Sequence, residues 1–317
     1  MRYVNLPGTD LRLSALCLGT APLGSALDKH DSYRILDEFV ERGGNFIDTA
    51  RAYAIWLPDG MGLSERIIGS WLTDRGLKDS VVVATKGAHP ALETMHIPRL
   101  SVAEIQQDCE ESLRALQLDA IPLYWLHRDD PSRPVAEILE SMESLRMAGK
   151  IQYYGLSNWS TDRMQAALTY VQEHKLNGLA ANQPRWSYAQ ANVQAISDPT
   201  SQWMDDQMFH FHKRSQFPVI PYTAQARGYF SRLGDGTLDA DLHNTYDNAE
   251  NQLRYERLKR VSKETGYSIT VLALAWMTSQ RDFLTIPIIW SQRSSHLRDI
   301  LDAGDVVLKD EMMALLG

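Results

Sequence analysis

The run Val81-Val82-Val83-Ala84-Thr85-Lys86 is apolar and β-branched almost throughout, and only its last residue is charged. A strand without polar alternation is typical of a parallel sheet that is covered on both faces. A helix follows from Ser101, where Ser101 and Glu104 have the spacing of a capping box. This part of the chain therefore predicts a strand followed by a helix, the repeating unit of α/β proteins.

The same unit recurs on both sides of this run, from one end of the chain to the other. Eight strands are predicted, at Ser14–Leu18, Asn45–Asp48, Val81–Lys86, Ile121–His127, Tyr153–Ser157, Leu179–Gln183, Val219–Tyr222 and Thr285–Ile289. Helical periodicity fills the intervals at Asp31–Arg42, Ser64–Asp74, Val135–Ala148, Thr161–Glu173, Met204–Gln216, Gln252–Gly266 and Ile269–Ser279. Before them, Arg2–Asn5 and Leu11–Leu13 flank Pro7-Gly8 and predict a small hairpin.

Eight alternating units favour a (β/α)8 TIM barrel, and an open doubly wound sheet is the alternative with the same alternation. The first strand–helix turn, Leu18–Gly24, lacks the G-x-G-x-x-G fingerprint of dinucleotide-binding open sheets. No linker composition interrupts the chain, so a single domain over residues 1–317 is expected. The polar interval Gly228–Gln252 is expected to be a long inserted loop.

The bulk composition narrows the class of function. The net charge is −8 and the pI is about 5.6, which disfavours nucleic acid as a partner. No apolar stretch suggests a membrane span or a signal peptide. With only Cys17 and Cys109, the expectation is a cytoplasmic protein with reduced thiols, and a homo-oligomer is left open. No metal site is expected, because His210 and His212 are spaced two apart and do not share a helix face.

Barrel enzymes carry their chemistry at the carboxyl ends of the strands, and here those ends hold ionisable residues. Asp48, Lys86 and His127 end strands two, three and four, and Tyr53 follows Asp48 on the adjoining loop. A buried Lys paired with Asp keeps its charge and lowers the pKa of a neighbouring phenol. A His at the same rim can orient a substrate carbonyl. The four residues are therefore a candidate general acid with its partners, although each alone has an ordinary structural explanation.

The chain resembles the aldo-keto reductase family over nearly its whole length. The segments that carry the resemblance are Gly19-Thr20, Gly43–Ala50, Ser64–Gly69, Ala84-Thr85-Lys86, Leu126-His127, Gly149-Lys150-Ile151, Gly155–Asn158 and Asn182-Gln183. The resemblance implies a TIM-type barrel, a catalytic tetrad at Asp48, Tyr53, Lys86 and His127, and an extended nicotinamide cofactor. It also implies that Ser157, Asn158 and Gln183 hold the carboxamide, Tyr222 stacks on the nicotinamide, and Gly19 and Thr20 line the pocket floor.

Two segments depart from the family pattern. A long apolar loop, Ala54–Gly62, follows Tyr53 and reshapes the substrate mouth. In Trp290–Ile300, family positions for adenine and phosphate contacts are altered. A 2′-phosphate needs a cationic donor, so Arg293 with Ser291 and His296 favours NADPH, with NADH as the alternative. The expected cofactor contacts also include Asp299 in this segment and Arg227 after strand seven.

The predicted reaction is reversible reduction of a small-molecule carbonyl to an alcohol, with Tyr53 as general acid. Trp56, His127 and Arg128 are the expected substrate contacts, and a sugar-like ligand or its keto derivative suits them. Two other interpretations remain at this point. One is an NADPH-binding regulatory or sensor subunit with little catalysis. The other is a lyase or isomerase that uses Lys86 as a Schiff base, which conflicts with the set Ser157, Asn158 and Gln183.

Overall fold

A computed structural model describes all 317 residues and confirms the barrel and its N-terminal hairpin. The hairpin strands are β1 (Tyr3–Asn5) and β2 (Arg12–Ser14). The barrel strands are β3 (Cys17–Gly19), β4 (Phe46–Asp48), β5 (Val82–Gly87), β6 (Ile121–Leu126), β7 (Ile151–Ser157), β8 (Leu179–Gln183) and β9 (Ile288–Ile289). The seven are parallel in the order β8-β7-β6-β5-β4-β3-β9.

The predicted seventh strand, Val219–Tyr222, is not a regular strand. Val219 forms isolated parallel bridges to Asn182 on one side and to Thr285 on the other, which closes the barrel between β8 and β9. Pro218, Pro221 and Pro287 interrupt this region, and proline has no N–H to donate to a ladder. The predicted eighth strand is shortened to β9 for the same reason.

Helices cover the outside of the barrel. Their bounds are α1 (Lys29–Glu41), α2 (Leu63–Arg75), α3 (Val102–Leu116), α4 (Val135–Met147), α5 (Thr161–His174), α6 (Asp206–Ser215), α7 (Tyr229–Asp235), α8 (Ala240–Tyr246), α9 (Ala249–Thr265), α10 (Ile269–Thr278), α11 (Ser294–Leu301) and α12 (Asp310–Leu316). Ser101 and Glu104 form the predicted capping box at the start of α3. None of these helices combines the length and the apolar composition that a membrane span requires.

The prediction of a long loop at Gly228–Gln252 was wrong, because this interval holds α7, α8 and the start of α9. Asp239 and Asn248 cap α8 and α9 by accepting from backbone N–H groups. The buried side chains of Phe230, Leu242 and Tyr246 pack into the main core. The polar composition of the interval concealed these few apolar anchors.

The hairpin closes the amino-terminal end of the barrel. Leu6 and Leu13 share a buried apolar cluster with Phe46, Leu123 and Trp125 from the barrel strands. The opposite end, where the parallel strands finish, therefore remains the open rim. All the candidate site residues at strand ends lie on this rim.

Candidate active site

Lys86 lies at the centre of a buried network at the ends of β4 and β5. Its Nζ donates to Asp48 Oδ2, to Thr49 O at 2.7 Å and to Tyr53 Oη at 3.0 Å. Asp48 is 1% and Lys86 2% exposed, so this ion pair is removed from solvent. Tyr53 is only half-buried. The structure thus brings three of the four predicted residues into contact, with the phenol nearest to solvent.

The predicted lowering of the Tyr53 pKa by Lys86 is present, but it does not decide the direction of the net shift. Burial raises the pKa of Tyr53, and the neighbouring Lys86 opposes this rise without overcoming it. Burial alone would lower the pKa of Lys86, but the charges of Asp48 and Tyr53 raise it above its ordinary value. Lys86 is therefore a cation at neutral pH, and Tyr53 is a neutral phenol that holds its proton.

His127 follows β6, across the rim from Tyr53, with the two ring centroids 6.2 Å apart. Burial, with the positive charge of Arg128, holds the pKa of His127 well below its usual range. Its Nδ1 is buried without a hydrogen-bond partner, whereas its Nε2 has no partner in the protein but reaches solvent. An unpaired buried N–H is costly, so we place the proton of the neutral imidazole on Nε2. His127 then presents a donor to the rim.

Ser157, Asn158 and Gln183 lie together at the ends of β7 and β8. Gln183 Nε2 donates to Asp48 Oδ1 at 3.0 Å, which ties this group to the ion pair. Gln183 Oε1 accepts no hydrogen bond from the protein. Ser157 Oγ donates to Gln183 O at 2.9 Å and accepts from Asn158 Nδ2 at 3.1 Å. The free amide oxygen is an acceptor for an N–H of a bound carboxamide.

The amide of Asn158 is fully engaged within the protein. Its Nδ2 also donates to His127 O at 3.2 Å, while Oδ1 accepts from Tyr222 Oη at 2.7 Å and from Gln202 N at 3.0 Å. Asn158 has a left-handed backbone (φ 61°), which Asn tolerates better than most residues. A ligand that binds to Asn158 must therefore replace bonds that already exist.

Gly19 and Thr20 support the site from below. A Cβ at Gly19 would meet Ile288 Cγ2 at 2.8 Å, so close packing of β3 against β9 already requires glycine. Thr20 is fully buried, and its hydroxyl donates to Asp48 O at 2.9 Å. Thr20 thus holds the end of β4 in place and Gly19 permits the packing of β3 against β9, whereas direct contact of either residue with a cofactor stays a prediction.

The loop after Tyr53 carries the most exposed large apolar side chain of the rim. Trp56 is 55% exposed. Arg128, in contrast, is buried and committed to protein partners, since it donates to Asp198 at 2.8 Å, Thr200 Oγ1 at 2.8 Å and His127 O at 2.9 Å. Trp56 is thus free to meet a ligand, whereas Arg128 mainly anchors residues 198–200.

The candidates for phosphate contacts lie beyond β9 and after Val219. Arg293 is exposed at the start of α11, and its guanidinium has no partner in the protein. Ser291 Oγ accepts from Arg293 N at 3.2 Å, and Asp299 is exposed on the same helix. Arg227 instead pairs with Asp241. Arg34, from α1, was not predicted but donates to Ser294 at the first turn of α11.

Sequence reasoning also missed the residues that hold the Tyr53 loop. The backbone N–H of Arg51 donates to Lys86 O at 3.0 Å, and its side chain pairs with Glu111 and Asp108. Behind Lys86, Thr85 Oγ1 donates to the buried Glu65 Oε1 at 2.5 Å. Burial raises the pKa of Glu65 to about 7. The only indication in the sequence that Glu65 supports the site was its position in the motif Ser64–Gly69.

Comparisons with known proteins agree with this architecture. The model of the aldo/keto reductase family matches residues 15–316. A Bacillus subtilis protein described as an uncharacterized oxidoreductase, YrpG, is 30% identical over 100% of this chain and 95% of its own. Norsolorinic acid reductase B of Aspergillus parasiticus is 26% identical over 98% of this chain and 82% of its own. Aldo-keto reductase YhdN of Bacillus subtilis is 26% identical, over 88% and 82% respectively.

The rim of the barrel carries a buried Asp–Lys pair, a phenol and a neutral imidazole. In addition, the family model matches almost the entire chain. Members of this family are oxidoreductases that generally use a nicotinamide dinucleotide and act on small carbonyl compounds. The chain belongs to the aldo/keto reductase family.

Proposed function

We propose that this chain reduces the carbonyl group of a small molecule to an alcohol, reversibly, with NADPH as the hydride source. The observation that carries the proposal is the bonding of Lys86 Nζ to both Asp48 and Tyr53 Oη. Such an arrangement keeps a cation beside a phenol that reaches the rim. A purely structural ion pair would not need the third partner.

The proton in this reaction comes from Tyr53. Its hydroxyl accepts from Lys86 and so has its own hydrogen free to donate to a substrate oxygen. The Lys86 ammonium stabilises the phenolate that remains after the transfer. Asp48 keeps Lys86 charged, and in the reverse direction the same phenolate removes the proton of an alcohol.

His127 orients the oxygen that Tyr53 protonates. As a neutral imidazole with its proton on Nε2, it donates a hydrogen bond to the carbonyl oxygen but remains a weak acid. Two donors, from Tyr53 and His127, therefore converge on one oxygen from opposite sides of the rim. This convergence stabilises the negative charge that develops there.

The residues at the rim fit a nicotinamide cofactor, which when bound supplies or accepts a hydride. The free Gln183 Oε1 can accept from its carboxamide, with Ser157 and Asn158 beside it and Tyr222 as the stacking ring. The unpaired guanidinium of Arg293 supports NADPH, because a 2′-phosphate calls for a cationic donor. Ser291, Asp299 and Arg227 complete the proposed set of contacts to the remaining part of the dinucleotide.

The substrate belongs, in this proposal, to small polar carbonyl compounds that include keto derivatives of sugars. Trp56 offers an exposed ring at the mouth, and the pair of Arg128 and Asp198 makes the adjoining wall polar. Relatives whose names describe reductases support reduction as the working direction. The two cysteines are buried and unpaired, which supports a reducing compartment such as the cytoplasm.

The test is a parallel titration of the protein's tryptophan fluorescence with NADPH and NADH, followed by turnover of 4-nitrobenzaldehyde. We expect tighter binding of NADPH and aldehyde-dependent oxidation of the cofactor. Tyr53→Phe should bind NADPH normally and lose at least about 100-fold in kcat, because the proton donor is gone. Wild-type turnover by Tyr53→Phe would refute the mechanism, and binding without any turnover would refute catalysis.

A further inference from the structure

We propose that His89 is a specificity-determining residue that accepts a hydrogen bond from a hydroxyl on the carbon next to the substrate carbonyl. The preferred substrates are then α-hydroxy ketones and α-hydroxy aldehydes. This inference rests on the proposed function and assigns its substrate class. His89 belongs to none of the segments by which the chain resembles its family.

His89 lies beside the residue that orients the carbonyl. The ring centroids of His89 and His127 are 4.5 Å apart in an edge-to-face contact. A substrate whose carbonyl oxygen is held by His127 therefore places its adjacent atoms against His89. Two imidazoles in contact at the rim offer two hydrogen-bonding positions for two neighbouring oxygens.

The backbone immediately after β5 turns His89 toward this position. Ala88 has a left-handed conformation (φ 59°), which is costly for a residue with a Cβ. Its N–H donates to the buried Asp108 Oδ2 at 2.8 Å, and Arg99 donates to His89 O at 3.1 Å. Asp108 on α3 and Arg99 in the loop before α3 thus hold the backbone around His89 in this orientation.

The hydrogen bonds of His89 determine which of its nitrogens can meet a ligand. Nδ1 is 2.6 Å from the carbonyl oxygen of Pro90, so Nδ1 carries the proton and donates it there. Nε2 makes no hydrogen bond to the protein and is accessible to solvent. Burial, with the charge of Arg128, lowers the pKa of His89 to about 4, so the ring is neutral. Nε2 is therefore an acceptor only.

The two imidazoles consequently have opposite roles. His127 donates from Nε2 and suits the carbonyl oxygen, which can only accept. His89 accepts at Nε2 and suits a hydroxyl, which can donate. An adjacent carbon that carries only a methyl or methylene group covers the His89 acceptor without giving it a partner, and this loss of hydration penalises that substrate.

The experiment compares hydroxyacetone with butanone, in which a methyl group replaces the hydroxyl. Wild-type enzyme with NADPH should have the higher kcat/KM for hydroxyacetone. In His89→Phe the ratio of the two kcat/KM values should fall by about five- to ten-fold, since the ring remains but the acceptor is lost. Differences in intrinsic reactivity between the two ketones cancel when the variant ratio is divided by the wild-type ratio.

Two further variants separate hydrogen bonding from structure. His89→Gln carries an amide oxygen as acceptor and should recover part of the ratio, which a packing defect would not allow. His96→Phe changes an exposed histidine on the same loop and should leave the ratio at its wild-type value. An unchanged ratio in His89→Phe, or no recovery in His89→Gln, overturns the assignment.

Turnover of 4-nitrobenzaldehyde, which lacks an α-hydroxyl, distinguishes this inference from the proposed function. Turnover of that aldehyde together with a wild-type preference for butanone, or with no turnover of either ketone, overturns the role of His89 alone. No turnover of the aldehyde or of either ketone overturns the reductase proposal, and the assignment of His89 with it.

Discussion

Replacing Lys86 by Met should destabilise the protein by about 3–5 kcal/mol, the cost of leaving one partner of a buried ion pair unpaired. Lys86 is 2% and Asp48 1% exposed, so water cannot replace the lost cation. Gln183 Nε2 would still donate to Asp48 Oδ1 at 3.0 Å, but a neutral amide does not replace the positive charge. Met is close to Lys in length and apolar volume, so the loss reflects charge and not a cavity.

The double variant Lys86→Met/Asp48→Asn removes both charges and should recover all but about 1–2 kcal/mol of the loss, because no uncompensated charge remains. Both variants should lack reductase activity, since Tyr53 has lost its ammonium partner. Urea denaturation followed by tryptophan fluorescence and far-UV circular dichroism measures the free energies of unfolding. Lys78→Met, at an exposed lysine, is the control and should change stability by less than about 0.5 kcal/mol.

Either of two results would contradict this electrostatic role of the Lys86–Asp48 pair. A loss below about 1 kcal/mol in Lys86→Met would mean that Asp48 does not depend on a buried cation. A double variant no more stable than Lys86→Met would mean that the loss arises from packing. In both cases a group other than the Lys86–Asp48 pair would have to stabilise the phenolate of Tyr53.

Three other changes test separate parts of the structure. Burial raises the pKa of Glu65 from 4.5 to about 7, so its contribution to stability is present below pH 4.5 and is lost as the pH rises to about 7. Between pH 5 and pH 8 the wild type should therefore lose about 2.5 kcal/mol more than Glu65→Gln in denaturation experiments, and equal slopes would contradict the burial argument. Arg293→Ala should raise the Kd for NADPH at least about ten-fold and leave the Kd for NADH unchanged, whereas Arg298→Ala, on the same helix but paired with Glu38, should alter neither. Equal losses for both cofactors in fluorescence titrations would remove Arg293 from the phosphate site. Trp56→Ala should keep the free energy of unfolding within about 0.5 kcal/mol while it raises the substrate KM, because its ring is exposed; an unchanged KM would remove it from the mouth.

The barrel could be predicted because its central strands are long apolar runs with charged ends. Val81–Lys86 and Ile121–His127 lie within about a residue of β5 and β6, so the positions of Lys86 and His127 followed directly. The prediction for the region around Val219 was less accurate. Its pattern of apolar residues indicated a strand, but Pro218 and Pro221 limit the ladder to isolated bridges.

The candidate site was predictable as a set of residues but not as a set of contacts. Strand ends identified Asp48 and Lys86, since parallel strands finish at a common rim, whereas Ser157 and Gln183 were predicted from the resemblance to the family. Which acceptor each donor meets depends on loop geometry, and no local pattern encodes it. His89 was missed for this reason: its importance comes from the turn at Ala88 and from contact with His127.

Asn158 also bears on how ligands bind at this rim. Because all its amide hydrogen bonds are already made, a ligand there gains only the difference between new bonds and old ones. One bond to be exchanged comes from Gln202, on a segment that Arg128 anchors through Asp198 and Thr200. Affinity at Asn158 is therefore coupled to the anchoring by Arg128, and a substitution at Arg128 can change it without touching the ligand.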